Sequence, residues 1–274
     1  MNIVTPLLLE FPRIDPVAIA IGPFAIRWYA LAYIAGIVLG WQLMKVIARR
    51  PPKLMTDEQC DDFVTWCTLG IVLGGRLGQV LFYQPGYYFS NPLEILMVWK
   101  GGMAFHGGLL GVFAAIWWSG RQTGAGFLRV GDVVASVVPI GLFFGRIANF
   151  VNGELWGRVA DVPWAMVFPD AGPWPRHPSQ LYEAGLEGLA LFALMMVLVF
   201  RTRLRERPGF IGGVFLVGYA LARSVCEFFR EPEVEDVFGL ITMGQFLSLP
   251  MILGGLYLMI AARPIKRPVA PAPG

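Results

Sequence analysis

VGDVVASVVPIGLFFGRIANFVNGELWGR (residues 130–158) begins as a run of apolar side chains and ends with Arg146, Asn149, Asn152, Glu154 and Arg158. The apolar part, 130–151, has about the length a helix needs to cross a hydrocarbon core of about 30 Å. Hydrogen-bonding and charged groups are thus concentrated where a membrane helix meets water. The same search finds six further runs, at 26–47, 63–83, 101–120, 179–200, 210–229 and 243–262. Only helices and closed barrels satisfy the backbone in lipid, and runs of this length without strand-like alternation are helical. The expected fold is an all-α integral membrane protein with seven transmembrane helices. The chain reads as one polytopic domain, 1–274, with an outer-face insertion at about 152–178 and no obvious internal repeat.

Composition narrows the classes. Of 274 residues 56% are hydrophobic and only 15% charged, well below a soluble domain's usual share of charge, which points to a protein embedded in a lipid bilayer. A net charge of +3 is too slight to suggest nucleic acid. Cys60, Cys67 and Cys226 form no C-x-x-C pair, and His106 and His177 are the two histidines, so a metal cluster is not expected. The first 25 residues have no basic leader and carry Glu10 and Asp15, unlike a cleavable signal peptide.

Orientation follows from the bases in short loops. Lys45, Arg49, Arg50 and Lys53, then Arg121 and Arg129, then Arg201, Arg203, Arg205 and Arg207, then Arg263, Lys266 and Arg267 fall on one side of a seven-span chain. The opposite loops, 84–100, 152–178 and 230–242, are poor in bases or, like EPEVED (231–236), acidic. The N-terminus is therefore expected outside and the C-terminus inside, with Trp28, Trp99 and Trp156 as interfacial anchors. A charge inside a span costs several kcal/mol unless it faces a polar interior. The alternating helix directions place Arg76, Arg146, Arg223 and Glu227 toward the outer ends of their spans, in one layer with Tyr29 and His106. This layer predicts a shared polar site in the outer half of the bilayer. At about 100° per residue, Arg223, Glu227 and Arg230 share one helix face, as do Arg146, Asn149 and Gly153. Arg223 and Glu227 make an i,i+4 pair, whereas the immediate neighbours of Arg146 offer no counter-charge, so Arg146 is expected to await an anion. Small-xxx-small spacings at Gly36/Gly40, Gly70/Gly74/Gly78, Gly107/Gly111 and Gly141/Gly145 predict close helix packing.

GRIANFVNGELWG (145–157) resembles the signature of the prolipoprotein diacylglyceryl transferases. GGMAFHGGLLG (101–111), RHPSQLYE (176–183), EFFREP (227–232) and MGQFLSLPM (243–251), together with Tyr29 in DPVAIAIGPFAIRWYAL (15–31), extend the resemblance over nearly the whole chain. Ala148 and the EPEVED turn are small departures. The resemblance implies transfer of a diacylglyceryl group from phosphatidylglycerol to the lipobox cysteine thiol of a prolipoprotein, at the outer face of a bacterial inner membrane. A thioether forms and glycerol phosphate leaves. Such a step needs donors for the growing phosphate charge and a base for a thiol whose pKa is normally about 8.5. On that basis Arg146 and Arg223 hold the phosphate through paired N–H donors. Asn149 and Asn152 orient headgroup or peptide, and Glu154 and Glu227 position the arginines. His106 is the first candidate base and Tyr29 the second. Arg76 is a further substrate binder, Gly157 permits a turn, and His177 is open to two roles, contact with the peptide or, the favoured one, capping the fifth span. No metal or organic cofactor is indicated.

An anionic-solute or lipid transporter would also want intramembrane arginines. It should carry polar residues into the inner halves of its spans, and LGWQLMKVI (39–47) and ALFALMMVLVF (190–200) are largely apolar. A hydrolase would need G-x-S-x-G or H-E-x-x-H, and neither is present.

Overall fold

The computed structural model describes residues 9–12, 14–22, 24–232 and 241–265. Residues 1–8 of the N-terminal segment, Glu233, Glu235 and Asp236 of the acidic loop, and the tail bases Lys266 and Arg267 lie outside them.

The chain is mostly helical, and each of the seven apolar runs forms a helix. These are α1 (Trp28–Ala48), α2 (Asp57–Gly78), the short α3 (Pro85–Ser90), α4 (Phe105–Gln122), α5 (Phe127–Val151), α6 (Ser179–Glu183), α7 (Leu191–Arg201), α8 (Phe210–Cys226) and α9 (Met243–Ala261). A π-helical stretch, Ala184–Ala190, joins α6 to α7, so that Ser179–Arg201 is one continuous rod. Among the described residues, five segments are long and apolar enough to cross a membrane: Trp28–Ala48, Asp57–Tyr83, Phe127–Val151, Ser179–Arg201 and Met243–Ala261. The other two expected spans fall short of that measure. α8 has 17 residues, and α4 is diluted by His106, Arg121, Gln122 and its glycines.

Local chemistry sets the helix ends. α2 and α9 each begin with a capping box, Thr56 with Gln59 and Thr242 with Gln245, which satisfies amide protons the first turn leaves open and contributes about 1 kcal/mol each. α4 starts at Phe105 rather than at the expected 101, because Gly101 and Gly102 take φ of 80° and 75°, outside the right-handed helix. α5 stops at Val151, and Gly153 turns the chain away at φ 68°.

Two small sheets precede or flank the helices and were not expected. β2 (Val17–Ile21) and β3 (Phe24–Arg27) form an antiparallel hairpin, and β1 (Leu9–Glu10) pairs in parallel with β4 (Met166–Val167). VAIAI is apolar throughout and FAIR is apolar up to Arg27, so they lack the regular alternation that marks a half-buried strand.

The chain separates into two compact units. Leu43–Val133 is built on α2 against α4. Here the glycine pattern becomes backbone contact: a Cβ on Gly70 would lie 2.6 Å from the carbonyl oxygen of Gly111, and one on Gly78 would lie 3.0 Å from Cα of Gly107. Without a hydrophobic drive between helices in lipid, such close approach is the main source of their association. The other unit comprises Met1–Gln42 and Val134–Gly274. In it Gly36 of α1 faces Gly141 of α5, and Gly213 of α8 faces Gly255 of α9. Its loop region has an aromatic core, with Phe11 edge-on to Phe150 and tilted against Phe168, and Phe168 fully buried.

Candidate functional site

The unit containing Val134–Gly274 buries a chain of ion pairs. Arg146 stands near the end of α5, five residues before the helix stops. Its Nε lies 3.3 Å from Oε2 of Glu183 and its Nη2 3.4 Å from Oε2 of Glu187. Arg223, near the end of α8, places Nη1 2.5 Å from Oε1 of Glu183 and 3.8 Å from Oε1 of Glu187, and its Nη2 pairs with Glu227. Arg230 reaches Oε1 of Glu183 at 3.0 Å. The side chains of Glu183 and Glu187 are wholly inaccessible, while those of Arg146 and Arg223 keep 16% exposure. The cluster therefore opens on the arginine side.

This corrects the expectation that Arg146 lacks a counter-charge. Its partners are 37 and 41 residues away, on the Ser179–Arg201 rod, which inspection of its own neighbours could not reveal. The signal was nonetheless in the sequence, since LYEAGLEGLA places two carboxyls at i,i+4 inside an apolar run, where a lone charge is costly. The π-helical stretch brings that rod against α5: a Cβ on Gly188 would lie 2.7 Å from Cβ of Phe143, so the rod packs there at backbone distance. Single π turns inside α-helices recur at functional sites. Breaking one partner out of a buried pair costs about 3–5 kcal/mol, because the other charge is stranded. Even so, neither Nη1 of Arg146 nor Nε of Arg223 donates a hydrogen bond to a carboxylate among the described residues.

The NGELWG turn is fastened beside these charges. Gly153 and Leu155 both adopt left-handed conformations, with φ of 68° and 58°, the second unusual for a branched side chain. Glu154, expected to position the arginines, accepts hydrogen bonds from Nδ2 of Asn149 at 2.8 Å and of Asn152 at 3.3 Å, and so orients the two amides. Glu227 does pair with Arg223. Gln180, fully buried, donates from Nε2 to the Glu154 carbonyl at 2.7 Å, and Ser179 donates to the Leu155 carbonyl. These bonds leave Oδ1 of Asn152 and Oε1 of Gln180 buried without a partner. Gly157 serves close approach rather than a turn. Its N–H donates to the His177 carbonyl at 2.9 Å, and a Cβ there would fall 2.6 Å from the same oxygen and 2.7 Å from the His177 Cβ.

Tyr29, half-buried on α1, shares a hydrogen bond of 3.1 Å with Tyr33 and lies within electrostatic reach of Glu154 and Arg146. His177 is at the head of the rod: its Nδ1 is 3.0 Å from the Tyr182 hydroxyl, its ring packs on Phe229, and its carbonyl accepts from the Ser179 N–H. Burial holds the His177 imidazole below its usual pKa.

His106 and Arg76 belong to the other unit. His106 is exposed in the first turn of α4, edge-on to Phe105. Arg76, expected to bind substrate, is buried with all five N–H donors taken. Nε binds the Ile95 carbonyl at 2.9 Å, Nη1 the carbonyls of Gly101 at 2.5 Å and Gly102 at 3.2 Å, and Nη2 those of Glu94 and Met97. It fastens the 94–102 loop, and no donor remains for a phosphate.

Helices built for a membrane, with arginine N–H groups left open at the accessible edge of a buried charge cluster, define an integral membrane protein whose site suits an anion. The chain belongs to the prolipoprotein diacylglyceryl transferase family, whose model matches residues 16–261. A phosphatidylglycerol–prolipoprotein diacylglyceryl transferase of Paramagnetospirillum magneticum is 61% identical over 92% of this chain and 94% of the relative. Proteins of the same name from Rhodospirillum rubrum and Gluconacetobacter diazotrophicus are 57% and 54% identical, over 94% and 97% of this chain and 96% and 98% of theirs.

Proposed function

We propose that this transferase moves the diacylglyceryl group of phosphatidylglycerol onto the lipobox cysteine thiol of a prolipoprotein. The thiol sulfur attacks the glycerol carbon, the carbon–oxygen bond to phosphate breaks, and glycerol phosphate leaves as the thioether forms. The observation that carries this reading is the pair of arginines, Arg146 and Arg223, fixed by buried carboxylates with donors still open. Guanidinium groups already held in place stabilise charge as it develops on the leaving phosphate, and their fork geometry cannot be copied by lysine. The unpartnered acceptors Oδ1 of Asn152 and Oε1 of Gln180 suit a headgroup whose glycerol carries hydroxyl donors.

The remaining assignments are part of the proposal. The chain works as one polytopic domain of seven spans, N-terminus out and C-terminus in, in the bacterial inner membrane, with its site toward the outer leaflet. His106 or Tyr29 accepts the thiol proton. Asn149, with Asn152 and Glu154, shapes the headgroup end, Glu227 orients Arg223, and Gly157 holds the loop against the rod. Purified protein reconstituted with phosphatidylglycerol and a lipobox peptide is expected to add a diacylglyceryl mass to the cysteine, and a Cys→Ala peptide is expected to gain nothing. A labelled glycerol headgroup should appear as free glycerol phosphate. Label carried intact across the bilayer, with no peptide modified, would establish transport instead.

A further inference from the structure

Among the described residues, the charges paired around Arg146 balance before any substrate arrives. Arg146, Arg223 and Arg230 supply three positive charges, and Glu183, Glu187 and Glu227 supply three negative ones, linked by ion pairs. A phosphodiester brings one more negative charge to this buried group. An uncompensated charge out of water is costly, and a buried site relieves the cost by neutralising a group.

The two rod carboxylates are unequally held. Glu183 lies within 3.3 Å of three arginines, whereas Glu187 is reached at 3.4 Å by Arg146 and 3.8 Å by Arg223. Each carboxylate keeps one buried oxygen with no hydrogen-bond partner, Oε2 of Glu183 and Oε1 of Glu187, so the arginine distances are what set them apart. The groups facing it are Glu183 on its own rod, Arg146 from α5, and Arg223, Tyr219 and Cys226 from α8. Arg146 and Arg223 are the same two guanidinium groups that face the headgroup, so a phosphate competes directly with Glu187 for them.

We propose that Glu187 is a positioning residue that compensates charge: it holds Arg146 in the empty site, and takes up one proton from water when an anionic lipid headgroup draws Arg146 and Arg223 away. The proton returns to water when the headgroup departs. This rests on the transfer reading, because it takes the anion to be a lipid phosphate. Glu183, shared by three arginines, stays ionised throughout.

The test is calorimetric binding of short-chain phosphatidylglycerol to the purified full chain without peptide, in buffers of different ionisation heat, between about pH 5.5 and 8.5. The wild type is expected to take up about one proton per lipid, and its Kd to weaken about tenfold per pH unit at the alkaline end. Glu187→Gln should take up none, bind with a flat pH profile, and bind more tightly than the wild type at the alkaline end. Glu187→Asp should restore the slope, which a merely structural role would not. A second readout needs no variant: infrared difference spectra of the wild type should show a carboxylic-acid band appearing on lipid binding. Wild-type binding without proton uptake, or an unchanged slope in Glu187→Gln, overturns the inference while leaving the transfer reading intact. No phosphatidylglycerol binding at any pH overturns both.

Discussion

Arg146 and Arg76 read alike in the sequence, each a lone base in the outer half of an apolar run, yet the structure gives them opposite surroundings. Arg76 meets five main-chain carbonyls and has nothing left to offer. Arg146 meets two carboxylates, at distances longer than a strong hydrogen bond, and keeps a nitrogen open. Carbonyl dipoles satisfy a guanidinium without cancelling its charge and cannot be exchanged for a ligand without unravelling the loop. Carboxylates cancel the charge and compete on equal terms with an incoming anion. Depth in the membrane thus identifies a costly base, and the chemistry of its partners decides whether it is a fastener or a working group.

The largest effect that would sharpen this contrast is on turnover at Arg146. Arg146→Lys should lower diacylglyceryl transfer by about 10²–10³-fold, the usual loss when one transition-state donor is removed, with the melting temperature nearly unchanged. Full activity in that variant would remove the phosphate role. Next comes Gly157→Ala, where the methyl group has no room between His177 and Phe229. It should destabilise by about 1–3 kcal/mol, as overpacking does, and separate the NGELWG turn from the rod, seen as faster proteolysis of the 152–178 loop. Arg76→Gln should strand several carbonyls and lower stability by about 2–4 kcal/mol, while the folded fraction binds phosphatidylglycerol as the wild type does. Lost lipid affinity in a fully stable Arg76 variant would break the comparison.

The smallest expected effect is at His177. Burial lowers its folded pKa beneath the ordinary value of 6.5, so the neutral ring is favoured in the fold. Its contribution is complete above that ordinary value and is lost as pH falls through the folded one. A thermal melt should therefore show a slight decline on the acid side that is absent in His177→Gln.

Much of this was legible beforehand. Each apolar run falls on a helix with its ends displaced by no more than a turn or two, and five of these helices are long and apolar enough to cross a membrane, because burial in lipid makes length and composition decisive. Arg146, Arg223 and Glu227 were found by the cost of charge in a span. Glu183 and Glu187 escaped because their pairing with α5 and α8 is a tertiary fact that no local window holds. The β2–β3 hairpin escaped because its strands show no regular apolar–polar alternation. The fate of Arg76 could not be read at all, since main-chain carbonyls are present in every sequence.

That last point carries over to the 94–102 loop. Apart from the Tyr88 ring beneath it, the Arg76 guanidinium recognises backbone oxygens, and such bonds are indifferent to which side chains the 94–102 loop carries. A randomised library over Ile95, Met97 and Val98 should return mostly folded chains, whereas insertions in the same loop, which would move its carbonyls off Arg76, should not.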